Sequence, residues 1–189
     1  MGTLNYIKNF FRDKDVASIT PSSRFTVKQV LKRIENDRPV TIIEYGPGDG
    51  VITRPLLEHI HPESKLITIE TNTDFVDQLN KIDDNRLKVY QATAEKVDEI
   101  ADEQEVAKAD YVISGIPFSF LEPAVRRELL TKTAELVGNE GCFVAYQTSK
   151  HLKPFLEEQF QEVSTEMEYR NIPPMCIYEA QSAKMPEKD

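Results

Sequence analysis

Apolar side chains along this chain follow two alternating patterns. Runs rich in β-branched residues are typical of buried strands, whereas apolar residues at every third or fourth position predict helices with one buried face. The predicted strands are Val40–Tyr45, Ser64–Glu70, Arg86–Tyr90, a run that begins at Ala109, Gly141–Gln147, Val163–Tyr169 and Met175–Ala180. The predicted helices run from Ser22 or Ser23 to about Asn36, from about Thr53, from just after Glu70, over Pro123–Val137 and over Ser149–Phe160. This alternation, closed by a strand pair, predicts an α/β fold: a doubly wound, seven-stranded, mostly parallel sheet with a C-terminal antiparallel strand and helices on both faces.

Turn and helix-breaking residues divide the chain into three parts. Residues 1–38 predict an N-terminal helical segment, with an amphipathic helix followed by a helix that covers a bound ligand, and Asp37-Arg-Pro39 ends this segment before the first strand. Residues 39–182 hold the predicted strands, and residues 183–189 form a polar tail. A chain of 189 residues can bury a core without disulfides, so we expect one α/β domain preceded by helices.

An amphipathic pattern occupies residues 3–12. Leu4, Ile7 and Phe11 fall on one helical face, with Tyr6 beside them and cations elsewhere on the helix. One interpretation is a helix that packs on the body of the protein or covers a bound ligand. The other is a helix that lies in a membrane interface, with its aromatic side chains in lipid. The pattern alone favours neither interpretation.

Charge is distributed unevenly along the chain. The net charge of −9 argues against nucleic acid as the main partner. Residues 1–38 carry eight basic and four acidic side chains, a net charge of +4, which leaves −13 for the remainder. A basic front end on an acidic body suggests orientation toward an anionic surface.

The cysteines and the apolar runs bear on the cellular compartment. Cys142 and Cys176 are far apart and form no metal-ligand spacing, so we expect no metal site and a reduced, cytoplasmic compartment. We expect no secretory signal, because the first residues lack a basic segment followed by an apolar run. No apolar stretch approaches the roughly 18 residues of a membrane span.

The candidate binding element is the turn that follows the first predicted strand. Three glycines, Gly46, Gly48 and Gly50, stand at every second position between that strand and a helix. Glycine permits a tight turn with positive φ and leaves no Cβ between the main chain and a ligand. The spacing is not the G-x-G-x-x-G of dinucleotide sites, and Glu44 would repel a pyrophosphate. An acid just before the turn suits a ligand that carries positive charge.

Two more features lie at the predicted carboxyl edge of the sheet, where open α/β sheets bind ligands. Glu70 ends the second strand, and a carboxylate there can accept hydrogen bonds from the vicinal hydroxyls of a ribose. The turn Ser114-Gly115-Ile116-Pro117-Phe118 ends the fourth strand with a stiff bend, inward carbonyls and one aromatic ring. A plain connecting loop is the alternative interpretation of this turn.

The sequence Glu44-x-Gly46-x-Gly48-x-Gly50 resembles motif I of the class I S-adenosylmethionine-dependent methyltransferases. The resemblance implies that the acid lies near the methionine ammonium and that the glycines let the loop approach the cofactor. In the wider fold an acid-plus-alanine pair contacts adenine. Thr93-Ala94 aligns with that pair, with threonine in place of the acid, and Glu95 is an alternative source of the carboxylate.

Four separated segments resemble the bacterial phospholipid N-methyltransferase family, whose members methylate phosphatidylethanolamine or related amino lipids. They are Pro21-Ser-Ser-Arg24, Glu44 to Gly50, Val112-Ile-Ser-Gly-Ile-Pro117 and Arg170-Asn-Ile-Pro-Pro174. The first and last are the more selective, because the related ribosomal RNA adenine dimethylases do not usually carry them. Those enzymes place Asn at the start of the strand-four motif, where this chain has Ser114-Gly115. We also expect no counterpart of their basic C-terminal domain.

The resemblance implies an S-adenosylmethionine cofactor, a class I methyltransferase domain over residues 39–182, and an amino-lipid substrate at an anionic membrane surface. It further implies a cytoplasmic protein, with a peripheral position on the inner face of the membrane as the alternative. The expected cofactor-binding residues are Glu44, Gly46, Gly48, Gly50, Glu70, Thr93, Ala94 and Ser114. The expected catalytic turn is Ser114, Gly115, Ile116, Pro117 and Phe118, with Phe118 on the methyl side.

Substrate contacts are expected from aromatic and basic side chains. Tyr6, Tyr45 and Tyr146 are candidate π-face or hydroxyl partners for a cationic headgroup. Arg24 is a candidate partner for a lipid phosphate or for the cofactor carboxylate, with a structural ion pair as the alternative. Two other functions stay open: a methyltransferase of the same fold that acts on RNA, protein or a small amine, and a non-catalytic S-adenosylmethionine-binding protein.

Overall fold

The computed structural model describes residues 23–184. The strands are β1 (Thr41–Tyr45), β2 (Lys65–Glu70), β3 (Leu87–Gln91), β4 (Tyr111–Ser114), β5 (Cys142–Gln147), β6 (Phe160–Glu168) and β7 (Met175–Ala183). The helices are α1 (Arg24–Leu31), α2 (Thr53–His59), α3 (Thr73–Leu79), α4 (Val97–Glu103), α5 (Pro123–Val137) and α6 (Lys153–Gln159), with 3₁₀ turns at Ala94–Lys96 and Phe118–Phe120. The predicted amphipathic helix with Tyr6 lies outside the described residues.

The seven strands form one sheet in the order β3-β2-β1-β4-β5-β7-β6. The strands β1 to β5 pair in parallel, whereas β7 runs antiparallel between β5 and β6. This topology confirms the predicted fold class, a mostly parallel seven-stranded sheet with an antiparallel C-terminal strand. Within residues 23–184, no helix is both long enough and apolar enough to cross a membrane.

The chain changes direction across the sheet at β1. From β1 it proceeds outward through β2 to β3, and then returns to β4 on the other side. The register pairs Tyr45 at the end of β1 with Ile69 on one side and Ser114 on the other. The carboxyl ends of three strands therefore meet at a topological switch point, which is where open α/β sheets bind ligands.

Two apolar cores cover the two faces of the sheet, as the continuous apolar strands predict. Ile43 and Tyr45 of β1 face a core that also contains apolar residues of α4, α5 and α6, while Ile42 faces the core that contains Val30 of α1 and Leu56 of α2. Since both faces are covered, β1 is buried along almost its whole length, and a charged residue in it has no ready access to water.

Helix α1 begins where the sequence predicts and ends earlier. The Ser23 side chain accepts a hydrogen bond from the Thr26 amide and caps the helix, as one of the two predicted caps. The helix ends at Leu31, not near Asn36, because the next amides bond three residues back: Ile34 N–H donates to the Leu31 carbonyl. None of the residues of α1 lines the cleft described below.

The polypeptide between β6 and β7, residues 169–174, forms a hairpin tip at the carboxyl edge of the sheet. The register pairs Gln147 at the end of β5 with Cys176 near the start of β7, so the tip lies at the same edge as the end of β1. Asn171 is buried, and its Oδ1 accepts hydrogen bonds from the Ser23 amide and the Thr26 hydroxyl, both at 3.0 Å. The start of α1 and the hairpin tip are therefore held together.

Candidate functional site

The glycine loop, residues 46–50, leaves β1 with the backbone that its composition predicts. Gly46, Gly48 and Gly50 have φ of +64°, +59° and +85°, in the region that disfavours residues with a Cβ. The Gly46 amide donates to the Ile69 carbonyl at 2.9 Å and extends the sheet by one bond. A Cβ at Gly46 would lie 3.1 Å from Ile116 Cγ1, whereas a Cβ at Gly48 would meet nothing within 4 Å. Gly48 therefore borders open space.

A cleft opens beside this loop at the carboxyl edge of the sheet. Its volume is about 470 Å³ when the space at its open mouth is included. The lining residues are Gly46, Ile69, Glu70, Thr71, Ala92, Thr93, Ala94, Glu95, Ile116, Leu121, Val125 and Leu129. The lining is mostly apolar and includes two glutamates, Glu70 and Glu95, which is a composition that suits a partly polar small molecule.

Glu44 is fully buried in β1. Its Oε2 accepts a hydrogen bond from the Thr53 hydroxyl at 2.7 Å, at the start of α2. Burial raises the pKa of Glu44 to about 7; the Thr53 hydrogen bond opposes this shift, and the charge of Glu70 adds to it. Within residues 23–184 no group donates to Glu44 Oε1, so the carboxylate retains a buried acceptor. A nearby cation would stabilise its ionised form.

Glu70 lies at the end of β2 and is also buried. Its Oε1 accepts from the amides of Thr71 and Asn72 at 2.7 and 2.8 Å, and its Oε2 accepts from the Gly48 amide at 3.1 Å. These bonds fix the carboxylate against the glycine loop. A carboxylate offers about four acceptor positions, so it can still accept from hydroxyl groups of a ligand in the cleft.

Thr93, Ala94 and Glu95 line the cleft across from the glycine loop. Thr93 has extended backbone angles and precedes the 3₁₀ turn, and the Glu95 carbonyl accepts a hydrogen bond from Lys132 of α5 at 2.7 Å. Thr93 and Glu95, the two residues predicted as alternative contacts to adenine, therefore both line the cleft. The roles of these residues stay predictions.

The strand-four turn is divided between the cleft and the core. Ile116 lines the cleft. Ser114 is buried, and its Oγ accepts from the Ile116 amide at 3.2 Å, which leaves the hydroxyl proton free to donate. A Cβ at Gly115 would lie 2.5 Å from the Tyr146 hydroxyl oxygen, so only glycine lets that hydroxyl approach the turn.

The structure corrects the expected position of Phe118. Its ring does not line the cleft; it is buried in the core and meets Phe143 edge to face, with centroids 6.1 Å apart. Its amide donates to the Gln147 side chain at 3.2 Å, which turns the backbone after Pro117 inward. Phe118 therefore supports the turn from below.

The residues expected to contact the substrate lie in three different environments. Tyr146 is brought to the strand-four turn through its hydroxyl, as described above. Tyr45 is fully buried, and its hydroxyl lies 3.3 Å from the Thr133 hydroxyl, so it belongs to the core and not to a headgroup site. Arg24 is exposed on the first turn of α1, with its guanidinium 4.9 Å from the centre of the Phe25 ring.

The cleft wall formed by α5 and the hydrogen-bond partner of Glu44 were not predicted from the sequence. Leu121, Val125 and Leu129, at and before the first turns of α5, form one wall of the cleft. Thr53 supports Glu44 through its hydroxyl. A threonine at the start of the helix that follows a glycine loop, nine residues after the acid, is a local signal that could have identified Thr53. The α5 wall carries no such signal, because apolar residues on a helix face usually face a core.

The properties of the cleft fit S-adenosylmethionine. The open space at Gly48 admits a ligand close to the main chain. Glu44 is buried two residues before the glycine loop and does not itself line the cleft, and its unpartnered acceptor would suit an ammonium group that came close to it. Glu70 lines the cleft and can accept hydrogen bonds from ribose hydroxyls, and the apolar lining can hold a base. Burial and the charge of Glu70 both raise the pKa of Glu44, and a cationic ligand nearby would favour its ionised form.

Fold and cleft together define a Rossmann-like methyltransferase with S-adenosylmethionine as the methyl donor, and known proteins bear this out. The ribosomal RNA adenine dimethylase family matches residues 19–134, and the chain belongs to this family. The family match covers the glycine loop, Glu70, Thr93 and the strand-four turn, and it ends within α5.

Individual relatives differ in what they methylate. An ornithine lipid N-methyltransferase of Singulisphaera acidiphila is 25% identical over 183 residues, which is 95% of each chain. A ribosomal RNA small subunit methyltransferase A of Mycoplasma mycoides is 28% identical over 115 residues, 58% of this chain and 39% of that protein. The crystal structure of magnesium protoporphyrin IX methyltransferase from Synechocystis, with bound S-adenosylmethionine, superposes with a TM-score of 0.70 over 98% of both chains at 13% identity.

Proposed function

We propose that this protein transfers methyl groups from S-adenosylmethionine to the headgroup amine of a lipid, with phosphatidylethanolamine or a related amino lipid as the substrate. The observation that carries the proposal is the extent of the likeness to the ornithine lipid N-methyltransferase, which covers 95% of both chains. That alignment includes the C-terminal half, with the β6–β7 hairpin, which lies beyond the family match at residues 19–134.

The contact between Asn171 and the start of α1 supports the lipid substrate. The two segments that resemble phospholipid N-methyltransferases most selectively, Pro21-Ser-Ser-Arg24 and Arg170-Asn-Ile-Pro-Pro174, are separated by about 150 positions in the sequence, yet Asn171 bonds both the Ser23 amide and the Thr26 hydroxyl. Ser23 and Asn171, one from each segment, therefore meet in space at the carboxyl edge of the sheet, and this contact supports a shared task for the two segments.

The chemistry requires an amine nitrogen with a free lone pair in line with the methyl group. When bound, S-adenosylmethionine supplies an electrophilic methyl group on a sulfonium. An ethanolamine ammonium must first lose a proton, to water or to a base, before it can attack. We assign the strand-four turn to positioning: the Ser114 hydroxyl and the carbonyls of residues 114–117 would accept from the amine N–H groups and hold it in line. The Tyr146 hydroxyl, beside Gly115, would help to orient the amine.

An RNA substrate is the second candidate, and the family match favours it. Two features oppose it. The net charge of −9 repels a polyanion, and the strand-four motif begins with Ser114-Gly115 where the adenine dimethylases carry Asn. The same cleft would serve either acceptor, so a direct comparison of substrates is needed.

One experiment separates the candidates. The full-length protein is incubated with S-adenosylmethionine labelled in its methyl group, in parallel with phosphatidylethanolamine vesicles, ornithine-lipid vesicles and bulk RNA. We expect label in the organic phase with at least one lipid and none in RNA. Label in RNA alone would overturn the proposal in favour of the second candidate, and cofactor binding without transfer to any acceptor would indicate a non-catalytic protein.

A further inference from the structure

The hairpin tip exposes two large apolar side chains to solvent. Tyr169 is 72% exposed and Ile172 is 79% exposed, and within residues 23–184 the only other large apolar side chain of this kind is Phe120, at 48%. Pro173 and Pro174 beside them are exposed as well. Exposed apolar groups concentrated on one turn indicate an interaction surface more strongly than the same groups scattered singly.

This exposure is built into the tip and supported from beneath. The Asn171 side chain is 1% exposed and is tied to α1, and its Nδ2 donates to the Pro173 carbonyl at 2.7 Å. Arg170 bonds Glu168 through both Nε and Nη2, and this pairing lowers the pKa of Glu168 to about 2. Ile172 lies between Asn171, whose side chain points inward, and Pro173, whose carbonyl that side chain holds. The Ile172 side chain is therefore left pointing outward.

Cations flank the apolar tip. The guanidinium groups of Arg24 and Arg170 lie 4.9 and 4.5 Å from the centre of the same Phe25 ring, so a positive pair is held against one aromatic side chain. Lys28, exposed one turn along α1, adds a third cation about 6 Å further on. Because Glu168 offsets the charge of Arg170, the excess positive charge beside the tip comes from Arg24 and Lys28, in a protein whose net charge is −9.

We propose that the hairpin tip and the first turns of α1 form the surface by which this protein docks on an anionic lipid bilayer. Tyr169 and Ile172 would enter the interface between headgroups and acyl chains, and Arg24, Lys28 and Arg170 would meet lipid phosphates. Apolar side chains flanked by cations match the acyl chains and anionic headgroups that such a bilayer presents together. The inference rests on the proposed function, because docking would serve catalysis only if the substrate is a lipid. The tip and the cleft lie at the same carboxyl edge of the sheet, so docking through the tip would turn the cleft toward the membrane.

A site-specific probe tests the location directly. The native Cys142 and Cys176 are free thiols and both are buried, and burial raises the pKa of Cys142 to about 12, so a new surface cysteine can be labelled selectively. Ile172→Cys would carry an environment-sensitive fluorophore. The matched control is Lys81→Cys, at an exposed position after α3 and therefore at the opposite edge of the sheet.

With vesicles of phosphatidylcholine and phosphatidylglycerol, we expect a blue shift and quenching by a lipid-borne quencher at position 172 and no change at position 81. Cosedimentation with vesicles but no response at position 172 would overturn the proposal, because another part of the chain would then make the contact. The proposal would also be overturned if the fluorophore at position 172 responded to a soluble protein partner and not to vesicles.

Charge variants test the flanking cations. Lys28→Glu should weaken binding to anionic vesicles by roughly tenfold, whereas Lys81→Glu should leave it unchanged. Equal effects of the two variants would contradict a localised surface. Ile172→Asp should reduce methyl transfer to lipid in vesicles but not to the same lipid dispersed in detergent. Absence of transfer in both formats, together with a positive fluorescence response, would remove the proposed function and leave the docking surface standing.

Discussion

Glu44 illustrates how a single buried side chain can be costly for the fold and useful for the site. It is fully buried in the central strand, with one hydrogen bond and one free acceptor. Because its folded-state pKa is about 7 against an ordinary 4.5, the folded protein holds the proton more tightly than the unfolded chain does. The stabilising contribution of this proton is fully present below about pH 4.5 and is lost as the pH rises through 7.

Glu44→Gln should therefore change stability in a pH-dependent way. In the ligand-free protein, the free energy of unfolding of the variant relative to the wild type should increase by about 2.5 kcal/mol between pH 5 and pH 8, since the variant has no carboxylate to ionise. Urea unfolding at the two pH values measures this difference. Glu63→Gln, at an exposed position, should show no such trend. A difference for Glu44→Gln that does not vary with pH would contradict the assignment.

Gly48→Ala tests the close approach of a ligand to the glycine loop. The added Cβ meets no protein atom within 4 Å, so the variant should fold, at a cost of about 1 to 2 kcal/mol for the positive φ. It should bind S-adenosylmethionine at least roughly tenfold more weakly, because the methyl group occupies ligand space. Isothermal titration measures the affinity.

Gly138→Ala is the matched control for this variant. Gly138 also has a positive φ, with φ 62° and ψ −148°, at the C-terminal end of α5 and away from the cleft. This control should lose stability without losing cofactor affinity. If both variants lost affinity in proportion to stability, the effect at Gly48 would be one of folding and not of ligand contact.

At the scale of single residues, local features were predictable and side-chain directions were not. The positive φ of the loop glycines follows from their number and spacing, and Glu70 falls at a strand end that hydrophobicity alone defines. Phe118 was expected in the cleft and lies in the core. Its direction depends on the hydrogen bond from its amide to Gln147, 29 positions away, which no local pattern contains.

At the scale of elements, the contact of α1 with the hairpin tip is carried by one side chain. Asn171→Ala would remove the acceptor for the Ser23 amide and for the Thr26 hydroxyl, in a place that water does not reach. We expect a loss of about 1 to 3 kcal/mol in the free energy of unfolding, measured with urea. Asn85→Ala, at an exposed position, should change it by less than about 0.5 kcal/mol. Equal effects would show that the contact contributes nothing.

The existence of most elements was predictable and their ends were less so. Helix α5 matches its predicted bounds because Pro123 and Gly138 delimit it. Helix α6 was expected from Ser149 and begins at Lys153, because the Ser149 carbonyl accepts from the side chains of Gln147 and Tyr178 instead of from a helical amide. Helix α4 was not predicted, since its seven residues are largely acidic and too short to show a clear period.

At the scale of the whole molecule, cofactor binding should appear as stability. A ligand that binds only the folded state at 100 times its dissociation constant adds about 2.7 kcal/mol to the free energy of unfolding. For a chain of this size that corresponds to a rise of about 5 to 10 °C in Tm. Differential scanning fluorimetry with S-adenosylmethionine should show this rise for the wild type and a smaller one for Gly48→Ala at the same concentration. An unchanged Tm at saturating cofactor would contradict the fit of the cleft.

The insertion of β7 between β5 and β6 has a consequence for the newly made chain. Residues 175–183 are the last that the sheet receives, yet they fill an interior position. Until they leave the ribosome, β5 presents an unsatisfied row of amides and carbonyls on its outer side, and β6 has no neighbour at all. During synthesis the chain therefore exposes a strand edge on β5 that can pair with strands of other chains. A chain truncated before residue 175 would expose this edge permanently.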